Sequence, residues 1–287
     1  MHDAPPPINE PVVPDAAAVM ARVGGENFPV APWWLAIPER RHLYAIYGFA
    51  RLTDELGDAA PGDRLAALDW LEAELDRAIA GTAEHPLMRE LASTIAACDL
   101  PRAPFARLID ANRSDQRVQS YERWSDLLGY CSLSANPVGE LVLGVFDLAT
   151  PERIARSDAV CTALQVIEHC QDIREDLQRG RVYLPLEDLA RFDCTLDDLE
   201  ADSTSPALRG VLRLEGTRAS QLLDQGAPLV RSLSGWPRIA IAGYVGGGRA
   251  ALSALGRADF EVLAQAPRPS RRRLCGSILR ALLGSPL

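Results

Sequence analysis

The chain has 287 residues, 47 % apolar and 24 % charged, enough to bury a sizeable core in one large domain or two small ones. Its net charge of −9 excludes a general nucleic-acid binder, which needs a basic face to meet phosphates. Cys98, Cys131, Cys161, Cys170, Cys194 and Cys275 form no C-x-x-C pair, so they read as reduced thiols of a cytoplasmic protein rather than zinc ligands.

Residues 1–20, "MHDAPPPINEPVVPDAAAVM", read as a flexible proline-rich lead-in without the charged-then-apolar pattern of a secretory signal. From there apolar residues recur with helical periodicity, and no series of alternating strands stands out. Caps and breakers divide residues 21–266 into about ten helices of a single all-α domain. A first helix is expected over Arg40–Asp58. The acidic amphipathic "GDRLAALDWLEAELDRAIAG" is a second, and two shorter ones fall within Pro86–Ala97 and Pro104–Asn112. "YERWSDLLGYCSLSANPVGELVLGVFD" should be helical on both sides of a polar, proline-containing kink at Ser134–Gly139. A long helix is expected from Pro151 to Arg179, then a surface connection "LDDLEADSTSP", then helices near Pro206–Leu233 and Pro237–Ala264. "GYVGGGRAAL" lacks G-x-G-x-x-G spacing and follows no strand, so it reads as close helix packing and not as a nicotinamide fingerprint. Residues 267–287, "PRPSRRRLCGSILRALLGSPL", join an arginine cluster to an amphipathic apolar segment. This tail is either a docked terminal helix or a contact with an anionic membrane surface. No apolar run reaches the ~18 residues of a membrane-spanning helix.

Two stripes carry the chemistry. Gln165, Glu168, Asp172 and Asp176 are spaced 3, 4 and 4 apart, and Tyr47, Arg51, Asp54 and Asp58 are spaced 4, 3 and 4 apart. Each set occupies one helical face. Like charges four apart repel by roughly 0.2–0.5 kcal/mol per pair, so such stripes are solvated outer faces or walls of a polar cavity. A single D-x-x-x-D arises on many surface helices; two copies on amphipathic helices carry more weight. If the helices face each other, four aspartates meet and need cations. Oxygen ligands without clustered His or Cys suit Mg²⁺, which shares its coordination with water and a phosphate-bearing substrate. A di-iron bundle would need two Glu-x-x-His motifs, and only Glu39–His42 is present. His169, beside an acid, is expected to pack or hydrogen-bond rather than bind metal.

"YGFARLTDELGD", "YCSLSANPVGEL" and "LQVIEHCQDIREDLQRGRVYLP" occur in the order of the squalene/phytoene synthase family, and the likeness runs from Glu26 to Leu263. "ENFPVA" and "SANPVG" resemble its bacterial hydroxysqualene synthase branch, which serves hopanoid biosynthesis. The resemblance implies an all-α isoprenoid-synthase fold around a central cavity. It implies Asp54, Asp58, Asp172 and Asp176 as ligands of two or three Mg²⁺ ions that bind with the substrate diphosphate. Tyr47 and Arg51 match positions at the diphosphate end, and Asn27 and Phe28 the N-terminal phosphate-side segment. Tyr130, Ala135, Val138 and Gln165 match cavity-wall positions, and Arg181 and Tyr183 follow the second motif. Three departures stand out: Glu168 replaces a common Asn, Gly25 and Asn27 replace serines, and Glu55, off the Asp54–Asp58 face, reads as a supporting or surface residue.

The implied reaction converts presqualene diphosphate and water to hydroxysqualene, with Mg²⁺ and Arg51 helping diphosphate to leave and no NADPH expected. Ser134 and Asn136, with Glu168, are the candidates for placing the attacking water. Two rivals stay open. One condenses two prenyl diphosphates, such as farnesyl diphosphate, to presqualene diphosphate, squalene or phytoene. The other is a catalytically silent helical scaffold. The expected partners are a presqualene diphosphate synthase and a hydroxysqualene oxidoreductase, without nucleic acid, and with the inner face of the cell membrane as a peripheral workplace.

Overall fold

A computed structural model describes residues 12–22 and 35–284 of the chain. These residues form fifteen helices. The first half holds α1 (Ala16–Met20), α2 (Ile37–Asp58), α3 (Arg64–Ile79), α4 (Pro86–Cys98), α5 (Arg102–Asp115), α6 (Trp124–Ser134) and α7 (Asn136–Val145). The second half holds α8 (Pro151–Gln171), α9 (Ile173–Gln178), α10 (Leu186–Arg191), α11 (Leu196–Glu200), α12 (Pro206–Gly226), α13 (Pro228–Arg231), α14 (Gly235–Arg257) and α15 (Arg271–Leu283). Among the described residues there is no strand, only an isolated bridge between Ser120 and Val182. No described helix is long and apolar enough to cross a membrane.

Two apolar cores hold these helices. One gathers Phe49, Leu52 and Leu56 of α2, Leu68, Leu71 and Leu75 of α3, Met88 and Leu91 of α4 and Phe105 of α5. Phe49 and Phe105 meet edge to face with centroids 5.2 Å apart, the geometry favoured by aromatic quadrupoles. The other core is built on Val160, Ala163 and Ile167 of α8, Leu212, Ala219 and Leu223 of α12 and Ala242 and Val245 of α14. On α2 the buried residues Ile46, Phe49, Leu52 and Leu56 recur every three or four positions. That periodicity leaves Arg51, Asp54 and Asp58 on a separate face.

Several boundaries differ from expectation. Ala16–Met20, placed by sequence in a flexible lead-in, form α1, with Val19 buried against the first core. The connection after Cys194 opens with α11, started by a reciprocal cap between Thr195 and Asp198 and anchored by buried Leu199. The kink before α7 is narrower than Ser134–Gly139. It sits at Ala135 (φ −109°, ψ −48°), just ahead of Pro137, whose ring cannot continue the preceding helix. The helix expected from Pro151 to Arg179 is interrupted at Asp172 (φ −104°, ψ 17°), where Glu168, Asp172, Glu175 and Asp176 crowd together. Backbone bonds Asp172 N–H to Glu168 O and Asp176 N–H to Asp172 O persist across the break, both 2.9 Å, so the acidic face carries on.

The glycine-rich stretch packs as expected. A Cβ at Gly246 would lie 2.6 Å from the backbone of Ile278, so only glycine lets α14 and α15 approach this closely. The tail therefore docks through Ser277 and Ala281 of α15, both buried.

Candidate active site

Between the two cores lies a cavity of about 500 Å³, within the range of small-molecule sites. One wall comes from α2, with Arg51, Asp54, Glu55 and Asp58, and from the end of α5, with Asn112 and Asp115. The opposite wall comes from α8 and α9, with Gln165, Glu168, Asp172 and Asp176. Tyr130 and Ser134 of α6, Val138 of α7, and Arg181 and Tyr183 complete it. The two acidic stripes thus face one space, and the outward-facing acids expected of a scaffold are not what the fold presents.

The segment after α9 is pinned in place by its backbone. Val182 N–H donates to Gln119 O at 2.7 Å, Arg181 N–H to Asp176 O at 2.9 Å and Leu186 N–H to Tyr121 O at 2.9 Å. This fixes Arg181 between the walls. Its guanidinium donates to Asp58 Oδ1 at 2.8 Å and stands 3.9 Å from Asp115 Oδ2. Asp115 also accepts the hydroxyls of Tyr130 (2.8 Å) and Tyr183 (3.1 Å). Burial pushes Asp115 up and Arg181 opposes the push. Burial and then the Asp115 charge hold both tyrosines well above the usual phenol range, so they stay protonated donors. The ring of Tyr183 stacks on His169 at 3.9 Å, and His169 bonds Gln165 at 3.2 Å, the packing role expected of it.

Eight carboxylates and four guanidiniums line the cavity. Glu55 holds Arg51 (3.1 Å) and Arg22 (3.6 Å), and Glu175 holds Arg179 (2.7 Å). Glu55 therefore belongs to the cavity wall. Asp54 is open to the cavity yet enclosed by protein, and that enclosure pushes its carboxyl up to about 7. Asn112, donating at 3.4 Å, and Arg51 oppose the push, while Asp58 and Asp115 add to it. Asp172 is raised by burial and then by Asp176 and Glu175. A diphosphate entering this surplus of negative charge needs cations with it. The donors are carboxylate oxygens, the chemistry of Mg²⁺, and Asp54 and Asp58 on one wall and Asp172 and Asp176 on the other are placed to offer them. Among the described residues no three such groups form a ready-made cage. Mg²⁺ needs none, because it keeps waters and takes phosphate oxygens with one or two carboxylates. Two polar atoms complete the fit: Arg51 Nε and Ser134 Oγ are buried without a hydrogen-bond partner among the described residues.

Not every candidate reaches the cavity. Tyr47, half-buried on α2, and Ala135, buried between α6 and α7, both lie outside the lining. Asn136 Oδ1 accepts from Thr162 Oγ1 at 2.9 Å, so its amide braces α7 against α8 rather than facing the cavity. Asn27 and Phe28 lie outside the described residues. Conversely, Asn112 and Asp115 line the cavity without belonging to either acidic stripe. Leu108, Asn112 and Asp115 are spaced 4 and 3, a stripe that turns from apolar to polar at the helix end. A Cβ at Gly57 would lie 2.1 Å from Asn112 Oδ1, so glycine there is what admits Asn112 beside Asp54.

The sequence model of the squalene/phytoene synthase family matches residues 21–274. The hydroxysqualene synthase of Rhodopseudomonas palustris is 36 % identical over 213 residues, covering 72 % of this chain and 71 % of that protein. The chloroplastic phytoene synthase 1 of Arabidopsis thaliana is 32 % identical over 71 % of this chain and 51 % of its own length. Among solved structures, the squalene synthase HpnC of Alicyclobacillus acidocaldarius superposes with a TM-score of 0.78 at 46 % identity, covering 86 % of this chain and 94 % of that one. A cavity walled by two facing aspartate stripes inside a helical fold, and a family match over nearly the whole described chain, lead to one assignment: the chain belongs to the squalene/phytoene synthase family.

Proposed function

We propose that this chain is a hydroxysqualene synthase, converting presqualene diphosphate and water to hydroxysqualene and diphosphate. The carrying observation is the cavity itself, where the two stripes and Arg51 and Arg181 surround a space suited to a diphosphate with its cations. The branch rests on likeness, since hydroxysqualene synthases of Rhodopseudomonas palustris and Sinorhizobium fredii share 36 % and 35 % identity with it.

Bound Mg²⁺ would neutralise the diphosphate and make it a better leaving group. Arg51 and Arg181 orient the phosphates and stabilise the charge that grows as the C–O bond breaks with its electron pair on oxygen. The organic cation left behind rearranges beside Tyr130, Tyr183 and His169, where the Tyr183 ring stacks on His169 and Tyr130 packs against both at a tilt. Tyrosine faces stabilise a cation by roughly 0.5–2 kcal/mol each. The surrounding walls exclude bulk water and so delay quenching. Glu168 and Ser134 reach the cavity and would place a single water; its oxygen adds to the cation and its proton passes to a carboxylate. Upstream, a presqualene diphosphate synthase supplies the substrate, and downstream a hydroxysqualene oxidoreductase removes the product. Prenyl chains of this size partition into lipid, which puts the work at a membrane surface.

The 32 % identity with a phytoene synthase favours a second reading, condensation of two prenyl diphosphates. Purified enzyme given presqualene diphosphate alone, then farnesyl diphosphate alone, with and without NADPH, separates them. The expected product is hydroxysqualene from presqualene diphosphate, unchanged by NADPH. Consumption of farnesyl diphosphate with presqualene diphosphate left intact would sink the first reading.

A further inference from the structure

The outer side of α15 has no role in the cavity. Its inner side, Ser277 and Ala281, is buried against α14. Opposite them, Arg272, Leu279 and Leu283 follow one another at steps of seven and four, a single stripe on the helix. Leu279 is 57 % and Leu283 70 % exposed. Trp236, 47 % exposed, stands at the adjoining start of α14, where Arg238 donates to Leu282 O at 2.7 Å. Three of the seven large apolar residues exposed among the described ones therefore gather at this corner.

Charge gathers there too. Arg268, Arg271, Arg272, Arg273 and Arg280 are all exposed, and none forms an ion pair among the described residues. No Asp or Glu follows Glu261 in a chain whose net charge is −9. The chain up to Glu261 carries every acid and is net negative, while this face holds only positive charge and offers apolar side chains to insert.

We propose that the outward face of α15, with Trp236 beside it, docks the protein on an anionic lipid surface. Arginines there meet lipid phosphates while Leu279 and Leu283 enter the acyl boundary, the binding mode of basic amphipathic helices. Trp236 suits the headgroup level. A second copy of the chain fits poorly, because a two-fold contact would set this arginine cluster against itself.

The test uses the full chain and vesicles, with no activity readout, so its result is independent of the assigned reaction. Co-sedimentation is measured with phosphatidylcholine vesicles and with vesicles containing phosphatidylglycerol, at low and high salt. Binding is expected only to the phosphatidylglycerol vesicles and is weakened by salt. The R271Q/R272Q/R273Q variant should bind about tenfold more weakly or worse, and L279S/L283S by about tenfold. Both change exposed residues, so melting temperatures should match the wild type. Absence of binding to anionic vesicles overturns the proposal, as does equal binding by both variants. Self-association in sedimentation velocity that L279S/L283S abolishes would assign the face to a second copy and overturn it as well.

Discussion

Asp115 and Glu168 are cavity carboxylates outside the two aspartate pairs. Asp115 is an acceptor for two tyrosyl hydroxyls and a neighbour of Arg181, so its charge organises the wall rather than the solvent. Asp115→Asn keeps the shape but turns one acceptor oxygen into a donor, so one of the two tyrosyl hydroxyls loses its partner in a buried site. It should cost about 1–3 kcal/mol of stability, read as a lower denaturation midpoint with an unchanged slope. A midpoint equal to wild type would show that Asp115 organises nothing. Glu168 faces the cavity from the wall opposite, one turn before Asp172. Glu168→Asn removes its charge and its capacity to take a proton. In the hydroxysqualene reading, product analysis should show hydrocarbon rising at the expense of alcohol. An unchanged product ratio would remove Glu168 from water placement. Glu168 and the four aspartates were legible because two separate stripes repeat them at helical spacing, Asp54 and Asp58 in one and Glu168, Asp172 and Asp176 in the other. Asp115 was not, because its partners Tyr130, Tyr183 and Arg181 come from other segments and only the fold unites them.

At the scale of elements, periodicity located the long helices, and chemistry set the breaks that periodicity missed. Pro137 announced the kink before α7, but nothing local in "EHCQDIRED" announced the interruption at Asp172, which accompanies acids crowded in a shared space. The run "GYVGGGRAAL" was legible as packing; its partner, the backbone of α15, was not. Gly246→Val would drive a branched side chain into the Ile278 backbone, which cannot yield as a flexible side chain can. The cost of overpacking is typically about 1–3 kcal/mol. It should appear as faster proteolysis after Arg271–Arg273, while the cavity still binds ligand. On α12, Glu215 is 1 % exposed and shares Arg218 with Asp188. Burial pushes its carboxyl from 4.5 to about 8, against the pull of Arg218. The folded chain then keeps a proton that the unfolded chain releases above 4.5. Glu215 therefore lowers stability progressively as pH rises from 4.5 to 8, and by a constant amount above that. Glu215→Gln lacks this slope, so its melting temperature should gain on wild type between pH 5 and 8.5. A pH-independent difference would mean that Glu215 ionises as an ordinary carboxyl.

At the scale of the whole molecule, the cavity is the seam between two separately packed cores, and each core contributes one aspartate pair. Neither wall supplies a complete metal site, and a diphosphate alone meets twice as many carboxylates as guanidiniums. Binding should therefore need cation and anion together and should tie the two halves to each other. Inorganic diphosphate with Mg²⁺ is expected to raise the melting temperature by on the order of 5 °C at a hundredfold excess over the dissociation constant. Diphosphate without Mg²⁺ should do little. Because Asp54 is pushed up to about 7, below that pH it carries a proton that a metal must displace, and burial raises Asp172 in the same direction. Protonated carboxyls do not ligate, so the shift should grow as pH rises from 6 to 8 and binding should release protons. Asp54→Asn on one wall and Asp172→Asn on the other should each remove most of the shift, since each breaks a different half of the same bridge. Both variants should melt no lower than the wild type without ligand, because each removes a carboxylate held against its preferred ionisation. If one variant alone abolished the shift while the other kept it whole, the ions would sit on a single wall and the two cores would not be coupled through them.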